Sequence, residues 1–168
     1  DVKPDNIMLT RLGHVKLIDF GFAVPLGEHE SLVRSGTPFY AACEYLEHKA
    51  YNQSLDWFAV GMCTLQVVNR MGVIKKLEPT EITAAKSKGD LPNIIQASDE
   101  RYEDCVNFLK LILGDCANRP CDGASLKKHP WLANSNYGLA HQSPLDMSTV
   151  FPSTTPQSRS AALEKEGR

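Results

Sequence analysis

The sequence predicts a mostly helical α+β fold with one short β-hairpin near the N-terminus. Two β-rich runs, residues 7–10 and 15–18, flank a loop that contains Gly13, which is the pattern of a hairpin. Beyond residue 53 the apolar residues recur at the spacing of helices instead. With 168 residues, 42% of them apolar, the chain is long enough for one domain with a core of ordinary size.

Glycine and proline residues limit the elements of the first half. Several of them lie between residues 21 and 51, so we expect no long helix or strand there. A helix is predicted from Ser54, taken as its N-cap, to about residue 69, with Gly72 closing it. Because this helix is apolar nearly all round, we expect it to be central and buried.

Three further helices are predicted in the second half. The first covers residues 80–88 and ends at Gly89, and the second begins at a cap, Ser98 or Asp99, and ends at Gly114. The third runs from about Asp122 into residues 127–131. Residues 133–168 are rich in Ser, Thr, Pro and Asn, so we expect a largely disordered tail.

Composition excludes several classes of protein. The net charge of −2 and a pI near 6.2 do not favour a nucleic-acid partner. The most apolar run, residues 57–68, is shorter than the ~20 residues that a membrane span needs. Five cysteines without a C-x-x-C pair indicate reduced thiols and a cytoplasmic protein, with a nuclear location as the alternative.

Two motifs near the N-terminus carry the functional prediction. The segment D-x-K-x-x-N supplies Asp1, Lys3 and Asn6, and D-F-G follows at residues 19–21, after the predicted hairpin. This combination resembles the catalytic domain of Ser/Thr protein kinases. The resemblance implies a protein-kinase-like fold of which residues 1–132 form the C-terminal lobe. It also implies ATP and Mg²⁺ as cofactors and proteins as substrates.

The resemblance assigns a role to each residue of these motifs. Asp1 matches the base that orients or accepts the proton of the substrate hydroxyl, and Lys3 matches the cation beside the γ-phosphate. Asn6 and Asp19 match the two magnesium ligands, and Met8 lies where the family places an apolar side chain under the adenine ring. Phe20 and Gly21, which complete D-F-G, are expected to have structural roles.

A second segment, residues 36–44, resembles the end of a kinase activation loop. By this resemblance Thr37 hydrogen-bonds to Asp1 and Lys3, which links the substrate platform to the base. Glu44 is expected to form a buried ion pair with Arg119. Asp56 matches the family's aspartate that hydrogen-bonds back to the catalytic-loop backbone.

Further similarities favour the AGC group of kinases, the class of cyclic-nucleotide-dependent and C-type enzymes, but several positions depart from its pattern. The activation-loop threonine is replaced by Val33, which leaves Ser31 and Ser35 as the nearest candidate phosphosites. Phe39 and Gln66 stand where basophilic members carry glutamate, so we expect a weaker preference for arginine in substrates. Cys43 stands where the family has proline.

The glycine-rich loop, the strand lysine and the hinge of a kinase are not found in this sequence. We therefore expect the chain to act with an N-terminal lobe in cis and to be inactive without it, because that lobe positions ATP. Met8, Ile18 and Phe20 are expected to be uncovered in its absence. The alternative is a pseudokinase-like binding or regulatory module, for which the departures at Val33, Phe39, Cys43 and Gln66 give some support.

Overall fold

The computed structural model describes residues 1–10, 13–25, 36–47, 49 and 51–133. The candidate phosphosites Ser31 and Ser35 lie outside the described residues, as does the tail beyond Ala133. The phosphorylation predicted for the two serines and the disorder predicted for the tail therefore remain predictions.

The predicted hairpin is present. Strand β1 (Ile7–Leu9) pairs antiparallel with strand β2 (Val15–Leu17), and Met8 lies opposite Lys16. A 3₁₀ turn, Pro4–Asn6, leads directly into β1. Gly13 adopts a φ of 79° between the strands, a conformation in which glycine carries no steric penalty. The hairpin thus connects the segment that contains Asp1 with the segment that contains Asp19.

The remainder of the described chain is helical, which confirms the predicted fold class. The helices are α1 (Cys43–Leu46), α2 (Ser54–Arg70), α3 (Pro79–Ser87), α4 (Leu91–Ile94), α5 (Glu103–Ile112), α6 (Gly123–Lys127) and α7 (Pro130–Ala133), with a 3₁₀ turn at Glu100–Tyr102. Among these helices, none combines the length and the apolar character that crossing a membrane requires.

The start of α2 corrects one prediction. Ser54 is the first helical residue and not the N-cap, and its backbone N–H donates to Oδ1 of Asn52 at 2.8 Å. Asn52 therefore satisfies one of the free N–H groups of the first turn through its side chain. The prediction for the end of the helix is confirmed, because Gly72 follows with a φ of 71°.

The boundaries of the later helices also differ in part. Asp99 accepts a hydrogen bond from the backbone N–H of Arg101, as a cap does, but it caps the 3₁₀ turn that precedes α5. The predicted last helix is divided into α6 and α7. Pro130 accounts for the division, because it has no backbone N–H to continue α6 and disfavours helical geometry at the residue before it.

The core lies between α2 and α5. Met62, Leu65, Leu109 and Ile112 are fully buried there. Gly61 makes the close approach of the two helices possible, since a Cβ atom at this position would lie 2.8 Å from Cγ1 of Ile112. The prediction of a central α2 is confirmed on its inner side, although Val67 on its outer side is 55% exposed.

An apolar surface runs along the hairpin and the segment after it, and we call it the hairpin face. Its side chains are between 40% and 67% exposed. It consists of Met8, Leu9, Val15, Leu17, Ile18, Phe20, Phe22 and Val24. The expected exposure of Met8, Ile18 and Phe20 is confirmed. Because side chains alternate across a strand, Met8 points to the opposite side of the hairpin from Leu9. Exposed apolar side chains of this kind are typical of a protein–protein contact.

Candidate active site

Lys3 connects the two predicted catalytic segments. Its Nζ donates to Oδ2 of Asp1 at 2.7 Å and to Oγ1 of Thr37 at 2.9 Å. The backbone N–H of Thr37 donates in turn to Oδ1 of Asp1 at 2.8 Å. The predicted contacts of Thr37 with Asp1 and Lys3 are therefore present. The side chain of Asp1 is only 5% exposed, so these hydrogen bonds hold it in one orientation.

Gly36 allows the close approach of the two segments. Its φ is 109°, in the region that side chains rarely permit, and a Cβ atom there would lie 3.2 Å from Oδ1 of Asp1. Both the backbone conformation and the space at this position thus require glycine.

Asn6 is positioned by the 3₁₀ turn that follows Lys3. Its backbone N–H donates to the Lys3 carbonyl at 3.0 Å, and its side-chain Nδ2 donates to the Asp1 carbonyl at 2.9 Å. The side chain is buried, and within the described chain its amide oxygen accepts no hydrogen bond. Because Nδ2 of Asn6 is already hydrogen-bonded, its amide oxygen remains available. A side chain that coordinates a metal ion needs such an available oxygen.

Asp19 occupies an unusual backbone conformation. Its φ is 61°, and it is the one non-glycine residue with positive φ among those described. Aspartate and asparagine tolerate this left-handed region better than other side chains do. Oδ1 of Asp19 accepts the backbone N–H of Gly21 at 3.2 Å, so the D-F-G segment orients its own carboxylate.

The donor set of Asn6 and Asp19 fits Mg²⁺. The ion prefers hard oxygen ligands and is usually bound by one or two protein groups together with substrate phosphates. No cluster of three or more His, Cys, Asp or Glu side chains exists in the described part of the chain. The chemistry of these residues therefore fits a metal that arrives with a nucleotide, and a zinc-type cage is not present there.

A cavity of about 510 Å³ lies beside Asp1 and Asp19, whereas Lys3, Asn6 and Met8 are not among its lining residues. It is bordered by Asp1, Asp19, Thr37, Tyr40 and Asp56. The carboxylates of Asp1 and Asp19 thus border the same open volume, as a site for phosphate chemistry requires.

The predicted ion pair of Glu44 and Arg119 is present. Nη1 of Arg119 lies 2.6 Å from Oε1 of Glu44, and Nη2 donates to the Gly114 carbonyl at 2.7 Å. The guanidinium also stacks on Phe58, with Cζ 4.8 Å from the ring centre. Through this pair, α1 is joined to the turn after α5.

Asp56 does not make its predicted contact. Its side chain is exposed and accepts no hydrogen bond from the described residues. No backbone N–H of residues 1–10 donates to it. Asp56 nevertheless borders the cavity next to Asp1.

Lys86 is a site residue that sequence reasoning missed. It lies in the last turn of α3 and is only 6% exposed. Its Nζ donates to the carbonyl of Pro38 and, at 3.0 Å, to the carbonyl of Phe39. Burial lowers the pKa of its ammonium group. The sequence did contain a signal, because Lys86 shares a helical face with Ile82, which α3 buries.

The replaced positions of the platform also have defined partners. The hydroxyl of Tyr40 donates to Oε1 of Gln66 at 3.0 Å, and the ring of Tyr40 meets Phe39 edge to face at 5.2 Å. Sγ of Cys43 donates to the Lys86 carbonyl at 2.9 Å. The platform therefore keeps internal contacts although proline and glutamate are absent from these positions.

The fold and the arrangement of the motif residues agree with a protein kinase domain. Residues 1–132 match the protein kinase domain, and the chain belongs to the protein kinase family.

Relatives include catalytic subunits of cyclic-nucleotide-dependent kinases. The chain is 38% identical over 68 residues to the cAMP-dependent protein kinase catalytic subunit of Schizosaccharomyces pombe, which covers 40% of the chain and 13% of that relative. It is 30% identical over 145 residues to the cAMP-dependent protein kinase catalytic subunit PRKX of Mus musculus, covering 78% of the chain and 37% of the relative. These similarities confirm the predicted resemblance to the AGC group.

A plant relative shows a similar identity. MAP3K epsilon protein kinase 2 of Arabidopsis thaliana is 30% identical over 141 residues, which covers 83% of the chain and 10% of that relative. The chain therefore spans less than half the length of each of these three relatives.

Proposed function

We propose that residues 1–132 are the C-terminal lobe of an active kinase that transfers the γ-phosphoryl group of ATP to Ser or Thr hydroxyls of proteins. The observation that carries this proposal is the position of Lys3 between Asp1 and Thr37, at 2.7 and 2.9 Å. A base, a cation and the substrate platform are thereby held in one hydrogen-bonded unit.

Asp1 is the candidate base. Its two carboxylate oxygens already accept from Lys3 and from the backbone of Thr37, and each retains a lone pair. A substrate hydroxyl placed in the cavity would donate to one of them, and the carboxylate would take its proton as the phosphorus–oxygen bond forms.

Lys3 favours a Ser or Thr acceptor in this proposal. Its side chain is 22% exposed, so it can still face a phosphate while it is bonded to Asp1. Lys3 would offset the negative charge of the transferred phosphoryl group. Stabilising this charge is a main part of catalysis in phosphoryl transfer.

Asn6 and Asp19 would hold Mg²⁺ through their free oxygens. A Mg²⁺ ion held there would neutralise the negative charge of the phosphates. Met8 on β1 would support the adenine ring from below.

The hairpin face supports an N-terminal lobe in cis as the partner of this lobe. Such a lobe would cover the exposed side chains of β1 and β2 and place ATP over Asp19. We place the complete protein in the cytoplasm, on the basis of its unpaired thiols.

The test is a phosphate-transfer assay on the complete kinase domain with Asp19→Asn. Asparagine tolerates the φ of 61° and keeps an oxygen for the N–H of Gly21, so the fold is preserved. We expect transfer to fall at least about 10³-fold, with a parallel loss of Mg²⁺-dependent nucleotide binding.

The matched control is Asp5→Asn, which removes an exposed carboxylate from the same region. It should retain wild-type activity. A wild-type domain that binds peptides and transfers no phosphate would instead establish the pseudokinase-like binding module.

A further inference from the structure

Lys86 is a buried lysine on the inner side of α3. The residues that α3 buries are Ile82, Ala85 and Lys86, so the lysine lies on an otherwise apolar face. Its neighbour in the helical cap, Lys88, is exposed. Burying an ammonium group is costly unless it is hydrogen-bonded, and such a position is therefore unusual for lysine.

The ammonium group is bonded to the backbone of the activation-loop end. It donates to the carbonyls of Pro38 and Phe39, and its position 6.0 Å from the ring centre of Phe58 adds a weak cation–π contact. The carbonyl of Lys86 accepts from the thiol of Cys43. We call residues 36–43 the platform. Lys86 is thus hydrogen-bonded both near the start of the platform and at its end.

The charge of Lys86 has no acidic partner in the part of the chain that the structure describes. No carboxylate there lies within salt-bridge distance of it, and Glu44 is already paired with Arg119. Phe39 and Gln66, which border the same region, are neutral. The ammonium group of Lys86 is therefore a positive charge bonded directly to the backbone at the start of the platform, whereas Glu44 and Glu47 act on Cys43 at its other end.

We propose that Lys86 is a positioning residue of the acceptor platform, and that its buried charge makes the platform select acidic or neutral side chains over basic ones beside the phosphoacceptor. This inference rests on the proposed function, since it assumes that acceptor peptides lie on residues 36–43. Phe39 and Gln66, which replace two glutamates of basophilic kinases, remove an attraction for arginine. The present inference adds a repulsion of basic side chains and assigns it to Lys86.

The physical reason is the low dielectric around Lys86. A charge that is removed from water is screened less by solvent and salt than an exposed one, so it acts over several ångströms. A basic side chain of a peptide would be repelled and an acidic one attracted. A purely structural lysine would affect all peptides equally.

The test measures the binding of peptides that carry Ala at the acceptor position. Three peptides differ only in the residue beside that position, which is Glu, Gln or Arg, and their dissociation constants are determined with the full-length protein. We expect the wild type to bind the Glu peptide about fivefold more tightly than the Arg peptide.

Lys86→Met removes the charge and keeps the length of the side chain, so it should bring the ratio of the Glu and Arg peptides close to one. Lys86→Arg should retain the wild-type ratio. Lys88→Met is the matched control, because it removes an exposed charge from the same helix end and should leave the ratio unchanged. If Lys86→Met does not fold, Lys86→Gln replaces it, as an amide still donates to a carbonyl.

Two results would overturn the inference. One is tightest binding of the Arg peptide by the wild type, and the other is an unchanged ratio in the folded Lys86→Met variant. Peptides with Ser at the acceptor position test the proposed function separately by phosphate transfer. Absence of transfer would remove the kinase proposal, whereas a binding ratio that depends on Lys86 would still support the role of this residue.

Discussion

Glu44 and Arg119 are 75 residues apart in sequence and 2.6 Å apart in space. The side chain of Arg119 is 1% exposed and that of Glu44 is 12% exposed. Arg119 also reaches the carbonyl of Gly114, so three separate chain segments meet at its guanidinium group. This pair joins the end of the candidate substrate platform to the helical core.

Arg119→Met should therefore destabilise the kinase domain. The substitution leaves the buried carboxylate of Glu44 without its cation, and breaking such a pair typically costs about 3–5 kcal/mol. Urea unfolding of the two proteins measures the difference. Arg101→Met is the control, since Arg101 pairs with Asp99 on the exposed surface and its loss should have little effect. Equal losses in both variants would contradict the assignment.

Thr37→Val should reduce catalysis while the fold is retained. Valine has the shape of threonine but no oxygen to accept the hydrogen bond of Lys3. Because the orientation of Asp1 and Lys3 then becomes less defined, we expect kcat to fall about 10- to 100-fold with a smaller change in KM. Thr37→Ser restores the hydroxyl and should recover most of the activity. Steady-state kinetics with one peptide distinguishes these outcomes.

Gly61→Ala should destabilise the core although alanine favours helices. The new Cβ atom would lie 2.8 Å from Ile112 and from Leu113, and such overpacking costs about 1–3 kcal/mol. The helical preference for alanine offsets at most about 1 kcal/mol of this. At Gly123 the added atom would be 3.4 Å from Trp57, so Gly123→Ala is a control that should be neutral or slightly stabilising. Thermal unfolding that ranks the two variants in the opposite order would refute the packing argument.

Cys63 and Cys105 should react slowly with alkylating reagents. Burial raises the pKa of each thiol to about 11, because it disfavours the charged thiolate that is the reactive form. At pH 8 we expect iodoacetamide to label them at least about 100-fold more slowly in the native than in the unfolded protein. The rates should rise as the pH approaches 11. Mass spectrometry of the peptides identifies each cysteine, and rapid native labelling of Cys105 at pH 8 would contradict its burial.

Gln66→Glu should increase the preference for arginine in substrates. The glutamate oxygen can still accept from the hydroxyl of Tyr40, so the platform keeps its contact while it gains a negative charge. We expect selection for an arginine peptide to rise about tenfold, as for a partly desolvated charge pair. The exposed Gln96→Glu serves as a control for net charge. An unchanged peptide profile would show that Gln66 does not face the substrate.

The arrangement around Asp1 could be predicted because its residues form short motifs. Asp1, Lys3 and Asn6 lie within six consecutive residues, and the 3₁₀ turn at Pro4–Asn6 brings Asn6 back to the carbonyl of Asp1. Thr37 and Arg119 required the family resemblance, because no periodicity in the sequence relates positions so far apart. The contacts of Thr37 and Arg119 were predicted because the segment at residues 36–44 resembles the end of a kinase activation loop.

Other features depend on tertiary packing and were missed for that reason. Lys86 lies on the buried face of α3, and no local pattern in the sequence indicates that it donates to two carbonyls of a distant segment. The N-cap position of α2 is Gln53, and the side chain of Asn52 accepts the backbone N–H of Ser54, a contact that depends on the path of the preceding turn.

The left-handed backbone at Asp19 restricts the substitutions that evolution can try at this position. Only glycine, asparagine and aspartate enter this region readily, and aspartate alone among them carries a charge. Glutamate, the nearest chemical equivalent, would meet both a conformational penalty and a displaced carboxylate. Asparagine is the substitution that this backbone accepts most readily, and it would keep an oxygen at this position while it removes the negative charge.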